Sequence, residues 1–324
     1  MHTLFIWLLS CKGCGQCWYM PGAPGVSVTD PPPFDTAVDE PPEDTGEEEE
    51  LPPSSLCDFE EVEPNGEFAD PQPLALERWM CGTFGQALDA DVFGFDVEED
   101  TWVRVWVRAS ALGSLANPRL FVFDQEEEFT ADATDSHRSE DIDRTFKVDE
   151  DREMGIGLFE QNIGSVQFGE DYFWRMRVSI TKPPVRWDYE EEEPNDNRSE
   201  AMPIEAGDRL YGSIESGTRN DWFSLEIAEA NSNVVIETDS WSHGSPLNPE
   251  IEVRFEDEDE DIDYSYSQGT SSFDAKVDFR AEEAGTYMIR VGSYTGQGGI
   301  PYWYVLDVSV SAADASTDDT ASGG

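Results

Sequence analysis

Residues 191 to 196, Glu-Glu-Glu-Pro-Asn-Asp, pack four carboxylates, an amide and a proline into six positions. In an extended chain successive side chains alternate, so Glu191, Glu193 and Asn195 share a face while Pro194 fixes the bend. Carboxylates a few ångströms apart repel by on the order of 1 kcal/mol per pair at a hydrated surface, and by more when desolvated. A bound cation relieves that repulsion. A hard ion that takes roughly six to eight oxygens, from carboxylate, amide and backbone carbonyl, matches this set, which points to calcium; zinc prefers His and Cys. The competing reading is an Asx-type turn that opens a strand, with its acids facing water. A close copy, EVEPNG, supplies Glu61, Glu63 and Asn65, with Gly66 where the other copy has Asp196. Fewer charges predict weaker binding there.

Two matched motifs need two matched frames, and the chain repeats itself. Pro64 recurs as Pro194, Gly82 as Gly212, Asp91 as Asp221, Phe93 as Phe223 and Tyr172 as Tyr302, each pair 130 positions apart. So constant an offset marks a duplicated domain. In DYFWRMRVSI, Tyr172, Trp174, Met176, Val178 and Ile180 alternate with other residues, and PYWYVLDVSV places Tyr302, Tyr304, Leu306, Val308 and Val310 in register. A period of two is a strand with one buried face. Further β-rich runs begin at Thr101, Arg119, Asn233 and Gly285, and Gly, Pro, Asn and Asp punctuate the chain at short intervals. The reading is all-β: two tandem β-sandwich, jelly-roll-like domains over 57–182 and 187–312. Cys57 and Cys81 bracket the first copy of the motif and are expected to form a disulfide.

These residues resemble the bacterial pre-peptidase C-terminal domain, to which the collagen-binding domains of clostridial collagenases are similar β-sandwiches. The second copy carries the resemblance through Glu191, Glu193, Pro194, Asn195 and Asp196, then Gly212-Ser213-Ile214, Asp221-Trp222-Phe223 and Ala284-Gly285-Thr286-Tyr287. The first copy keeps Glu61, Glu63, Pro64, Asn65, Gly82, Asp91 and Phe93. The resemblance spans roughly residues 58 to 312. It implies a noncatalytic accessory module of secreted peptidases, here with no peptidase in the sequence itself. It also implies calcium at Glu191, Glu193, Asn195, Asp196 and Asp221, with the Ser213 backbone carbonyl as an extra ligand. In the first copy the matching set is Glu61, Glu63, Asn65 and Asp91, binding more weakly.

The chain has 324 residues and a net charge of -51, from 71 acidic residues against 20 Lys and Arg, so polyphosphate is repelled and nucleic acid is set aside as a partner. Residues 1–10 read as a signal segment, because Thr3 to Leu9 is apolar but too short to span a bilayer. Leu8-Leu9-Ser10-Cys11 resembles the lipobox of bacterial lipoproteins, which makes Cys11 the expected lipidation site and that anchor the only membrane contact. Residues 11–56 hold a Cys-rich start and then, from Thr29, an acidic Pro-rich run without Lys or Arg. Too polar to bury a core, it is expected to be a disordered tether. Residues 313–324 are expected to be a disordered tail. Cys11, Cys14 and Cys17 have the spacing of iron–sulfur ligands but no fourth cysteine nearby, so no cluster is expected; Cys14 and Cys17 would pair locally if oxidised.

Catalysis is not expected. His2, His137 and His243 are the only histidines, G-x-S-x-G and H-E-x-x-H are missing, and carboxylates are too abundant for their pairing to carry information. The run from Asp257 to Asp263 fails as an EF-hand, with Ile262 at position six and Gln268 at position twelve, and reads as a solvated hairpin loop. Trp102, Arg104, Trp106 and Arg108 share one strand face. Exposed, that face would contact a glycan or protein; buried, it would be core, which is the favoured reading. The expected function is noncatalytic binding or display by calcium-stabilised sandwiches, toward a protein or polysaccharide ligand. The expected place is the outer membrane or cell surface, otherwise the secreted fraction. The alternative is an accessory or targeting subunit for a separately encoded secreted hydrolase.

Overall fold

The computed structural model describes residues 57–124, 131–132, 141–161, 168–256, 258, 260–266 and 273–312. Cys11, Cys14, Cys17, His137, the signal segment, the whole tether and the C-terminal tail lie outside the described residues. Among the described residues twenty strands, numbered in chain order, form four five-stranded sheets. The first sheet runs β1 (Phe59–Glu60), β3 (Trp79–Thr83), β10 (Phe173–Thr181), β5 (Thr101–Arg108), β8 (Ile142–Val148). Its partner runs β2 (Gln72–Pro73), β4 (Ala90–Val97), β9 (Arg152–Glu160), β6 (Pro118–Asp124), β7 (Ala131–Asp132).

The second pair repeats this order strand for strand. One sheet is β11 (Tyr189–Glu190), β13 (Arg209–Ser213), β20 (Trp303–Ala312), β15 (Ser232–Asp239), β18 (Lys276–Ala281). The other is β12 (Met202–Ile204), β14 (Asp221–Ile227), β19 (Gly285–Ser293), β16 (Pro249–Phe255), β17 (Asp261–Tyr266). In every sheet the first pair is parallel and the rest antiparallel. The all-β reading holds: helix among the described residues is confined to short 3-10 turns, and none is long and apolar enough to cross a membrane.

Alternation builds the cores. Val103, Val105 and Val107 of β5 face inward with Met176 and Val178 of β10, against Phe93, Leu120 and Ile156 from the partner sheet. The second core holds Phe223, Leu225, Ile236, Ile289, Leu306 and Val308. Ile180 departs from the alternation expected of its strand: it sits near the end of β10, past the core, and is exposed. The run from Asp257 to Asp263 follows β16, and its last three residues open β17, which pairs back on β16 as a hairpin. A disulfide joins Cys57, ahead of β1, to Cys81 in β3.

Trp102 is buried core, as favoured, though in the part of the cluster that lies between the sandwiches, whereas Trp106 is only half-buried and is not core. The inward positions of β5 are its valines, so both tryptophans lie on the outer face. Trp102 is buried there by the second sandwich, against Trp187, Tyr211 and Trp303 at ring separations of 5.6, 5.8 and 5.2 Å. Trp303 Nε1 donates to the Thr145 carbonyl at 2.5 Å. Lys147, nearly buried beside these rings, meets Glu190, Asp149 and Asp100 at 2.8, 3.1 and 3.2 Å. The two sandwiches thus share an apolar seam closed by one buried lysine.

Candidate metal centre

The acidic motifs are sheet-switching loops, not the extended strands expected. β1 stops at Glu60 and β11 at Glu190, and residues 61–66 and 191–196 then carry the chain from one sheet of a sandwich to the other. Proline lacks the N–H that would continue a ladder. The Glu63–Pro64 and Glu193–Pro194 peptides are both cis. Beyond each proline the asparagine rejoins the sheet: the Val92 amide donates to the Asn65 carbonyl at 3.0 Å, and the Trp222 amide to that of Asn195 at 2.8 Å.

Backbone donors aim the carboxylates. The Thr83 amide donates to Glu61 Oε1 at 2.6 Å, and the Ser213 amide to Glu191 Oε1 at 2.7 Å. The Asn65 and Asn195 amides donate to the Oε2 atoms of Glu63 and Glu193 at 3.2 and 2.9 Å. Asp91 and Asp221, at the starts of β4 and β14, complete each group from the opposite sheet. Glu61, Glu63 and Asp91 bring one oxygen each within 4.8 Å of one another, and so do Glu191, Glu193 and Asp221. Ser213 touches its group through the amide. Asp196 stands to one side, 3.5 Å from Arg219, which also pairs with Glu215.

Two residues per site were read in sequence only as repeat markers or core. A Cβ on Gly82 would fall 2.2 Å from the Trp174 ring and 2.4 Å from Glu61, and one on Gly212 would fall 2.5 Å from the Tyr304 ring and 2.8 Å from Glu191. Each glycine is the floor on which carboxylate and ring lie. The rings in turn serve the acids: Trp174 Nε1 donates to Asp91 at 3.0 Å, while the Tyr304 hydroxyl lies 2.6 Å from Asp221 and 3.2 Å from Glu191. Their equivalence shows only in the shared register of the closing strands. Gly212→Ala should destabilise the chain by about 1–3 kcal/mol through overpacking of this floor. Urea unfolding checks this, and an unchanged midpoint would contradict it.

Burial makes these clusters electrostatically expensive. Asp91 and Asp221 are almost wholly removed from solvent. Burial first, then the neighbouring carboxylates, pushes Glu61 up to about 7 and Asp91 up to about 9. Burial likewise raises Glu191 to about 7 and drives Asp221 well above the carboxylate range, with the Glu191 charge adding to the latter. Glu193 is raised for the same first reason. Several buried oxygens also lack a hydrogen-bond partner: Glu61 Oε2, Asn65 Oδ1 and Asp91 Oδ1 in one site, Asn195 Oδ1 and Asp196 Oδ1 in the other. Orphaned buried acceptors, all of them oxygen, fit a hard cation; a zinc site would want nitrogen or sulfur. The copies are unequal. Gly66 cannot simply take the place of Asp196, since its Cβ would approach the Ala90 carbonyl to 2.8 Å.

Residues 219–293 match the bacterial pre-peptidase C-terminal domain. The pre-peptidase segment runs from just before β14 to the end of β19, so it contains Asp221 but not the Glu191 loop. Among solved structures, the pre-peptidase C-terminal domain of a Bacillus anthracis collagenase is covered over 100% of its length by 37% of this chain, at 20% identity and a TM-score of 0.27. A tandem CBM22 pair from Paenibacillus barcinonensis is covered over 82% of its length by 68% of the chain, at 8% identity and a TM-score of 0.20. A Clostridium perfringens protein with an M60 catalytic domain and two CBM51 domains is covered over 36% of its length by 71% of the chain, at 6% identity and a TM-score of 0.21. No curated protein matches the chain.

Proposed function

We propose that the chain is a noncatalytic binding and display protein of the cell envelope, exported and lipid-anchored at Cys11, whose two sandwiches each hold calcium where the chain switches sheets. The observation that supports this best is the pair of matched oxygen clusters, each with three convergent carboxylates and buried oxygens left without partners. The pre-peptidase match in the second sandwich supports a binding module rather than an enzyme. His243 pairs with Asp239 at 2.9 Å and belongs to neither cluster. In this reading Glu191, Glu193, Asn195 and Asp221 hold the second ion, with Asp196 adding charge nearby, and Glu61, Glu63, Asn65 and Asp91 hold the first. Calcium would neutralise the buried charge there and tie the switching loop to the opposite sheet.

Terbium, which takes calcium sites and is excited through nearby aromatic rings, tests the sites directly. Trp174 and Tyr304 each contact a cluster carboxylate. Sensitised emission should therefore appear, fall on adding calcium, and drop in Glu193→Ala/Asp221→Ala. Emission equal in the variant would overturn the second site.

A further inference from the structure

The outward face of the first sheet carries an arginine–tryptophan array that the metal sites do not use. Strand register places Trp79, Arg177 and Trp106 in one row across β3, β10 and β5, with Arg175 directly opposite Arg108 in the next. The Trp79 and Trp106 rings stack at 6.5 Å, Arg175 lies over Trp79 at 4.4 Å, and Arg104 over Trp106 at 4.3 Å. Arg104 and Arg177 are neutralised by Asp143 and Glu77, both at 2.7 Å. Among the described residues Arg108 has only Asp141, at 3.8 Å. Arg175 forms no salt bridge with any described residue, and its Nε is buried without a partner. Burial, then the Arg108 charge, lowers its hold on its proton. Like charges directly opposed across strands destabilise a sheet. In a chain with 71 acidic residues against 20 Lys and Arg, such a pair left half-neutralised calls for an anion from outside.

The fold itself does not require the array. In the second sandwich the same row is Arg209, Asp307 and Glu237, and the position of the Arg175–Arg108 pair is taken by Val305 and Asp239. The two sheets share strand order and differ in this chemistry.

We propose that this face binds a uronate-bearing polysaccharide, with Arg175 and Arg108 taking a sugar carboxylate and the half-buried indoles of Trp79 and Trp106 flanking the sugar rings. The proposal rests on the reading of the chain as a binding protein and is independent of the metal. Guanidinium forks match carboxylates bidentately, and indoles offer apolar surface to the C–H faces of sugars. A peptide fits less well. The backbone groups of β3, β10 and β5 are committed to their ladders, so a main chain laid across the face finds no pairing partners. The net charge of -51 repels any polyanion at long range, a uronate polymer as well as nucleic acid, so the array acts by contact.

Titration of polygalacturonate into the full chain, in excess EDTA so that metal bridging is removed, tests the proposal. Binding should weaken about tenfold or more in Arg175→Gln and persist in Glu193→Ala/Asp221→Ala. If Arg175→Gln does not fold, Arg108→Gln carries the same expectation. No binding of polygalacturonate, undiminished binding by a folded arginine variant, or equal binding of poly-glutamate overturns the proposal. Binding of neutral dextran alone overturns it too, while leaving the binding-protein reading in place.

Discussion

Calcium at about a hundred times its dissociation constant should stabilise the folded chain by about 2.7 kcal/mol for each site filled, and the gain should grow with pH. Without metal, Glu61 and Glu191 hold their protons up to about 7 and Asp91 up to about 9, because burial and mutual repulsion disfavour their charged forms. In the unfolded chain the same acids titrate near about 4. Between those limits the native state binds more protons than the unfolded one, so metal-free stability falls as pH rises through the window. Calcium takes the place of those protons. Thermal melts in chelator should therefore show a midpoint that drops from about pH 5 to about pH 9, and melts in calcium should recover most of that loss. A chelated midpoint that is flat or rises across the window would show that these acids are not held protonated by the fold.

Trp303→Ala should cost about 3–5 kcal/mol, the range for emptying the site of a buried aromatic ring. The loss is concentrated at the seam. Trp303 packs edge-on against Trp102 at 5.2 Å and lies beside Tyr211, and its indole N–H satisfies the Thr145 carbonyl. Removing it leaves that buried carbonyl without its donor and opens the apolar joint between the sandwiches. Calorimetry should show one transition in the parent chain and two in the variant, as the second sandwich melts by itself. A single transition at the parent temperature would contradict the seam. The same strands serve both sites by alternation: Glu190, Tyr211 and Trp303 face the first sandwich, while Glu191, Gly212 and Tyr304 belong to the metal centre.

The period-two pattern of the closing strands and the offset of 130 made the all-β architecture legible before any coordinate, because strand alternation and duplication are written in residue order. The acidic loops were legible as sets of oxygen donors; Asp91 and Asp221 came only through the family resemblance, since each lies on the sheet opposite its glutamates. The extended form expected of the motif was wrong because each motif links two sheets and carries a proline that cannot pair. Trp102 is core for a reason the pattern does not carry. Alternation gives the face of a strand but not what covers it, and here the cover is a second sandwich. The roles of Gly82, Gly212, Trp174 and Tyr304 depend on contacts across β3, β10, β13 and β20, and a linear pattern does not encode such contacts.

Isothermal titration of calcium into the metal-free full chain and into Glu193→Ala/Asp221→Ala tests both metal sites at once. Two unequal binding events are expected in the parent, the tighter one lost in the variant and the weaker one, at Glu61, Glu63, Asn65 and Asp91, retained. Equal heats from both proteins, or no heat from the parent, would contradict that expectation.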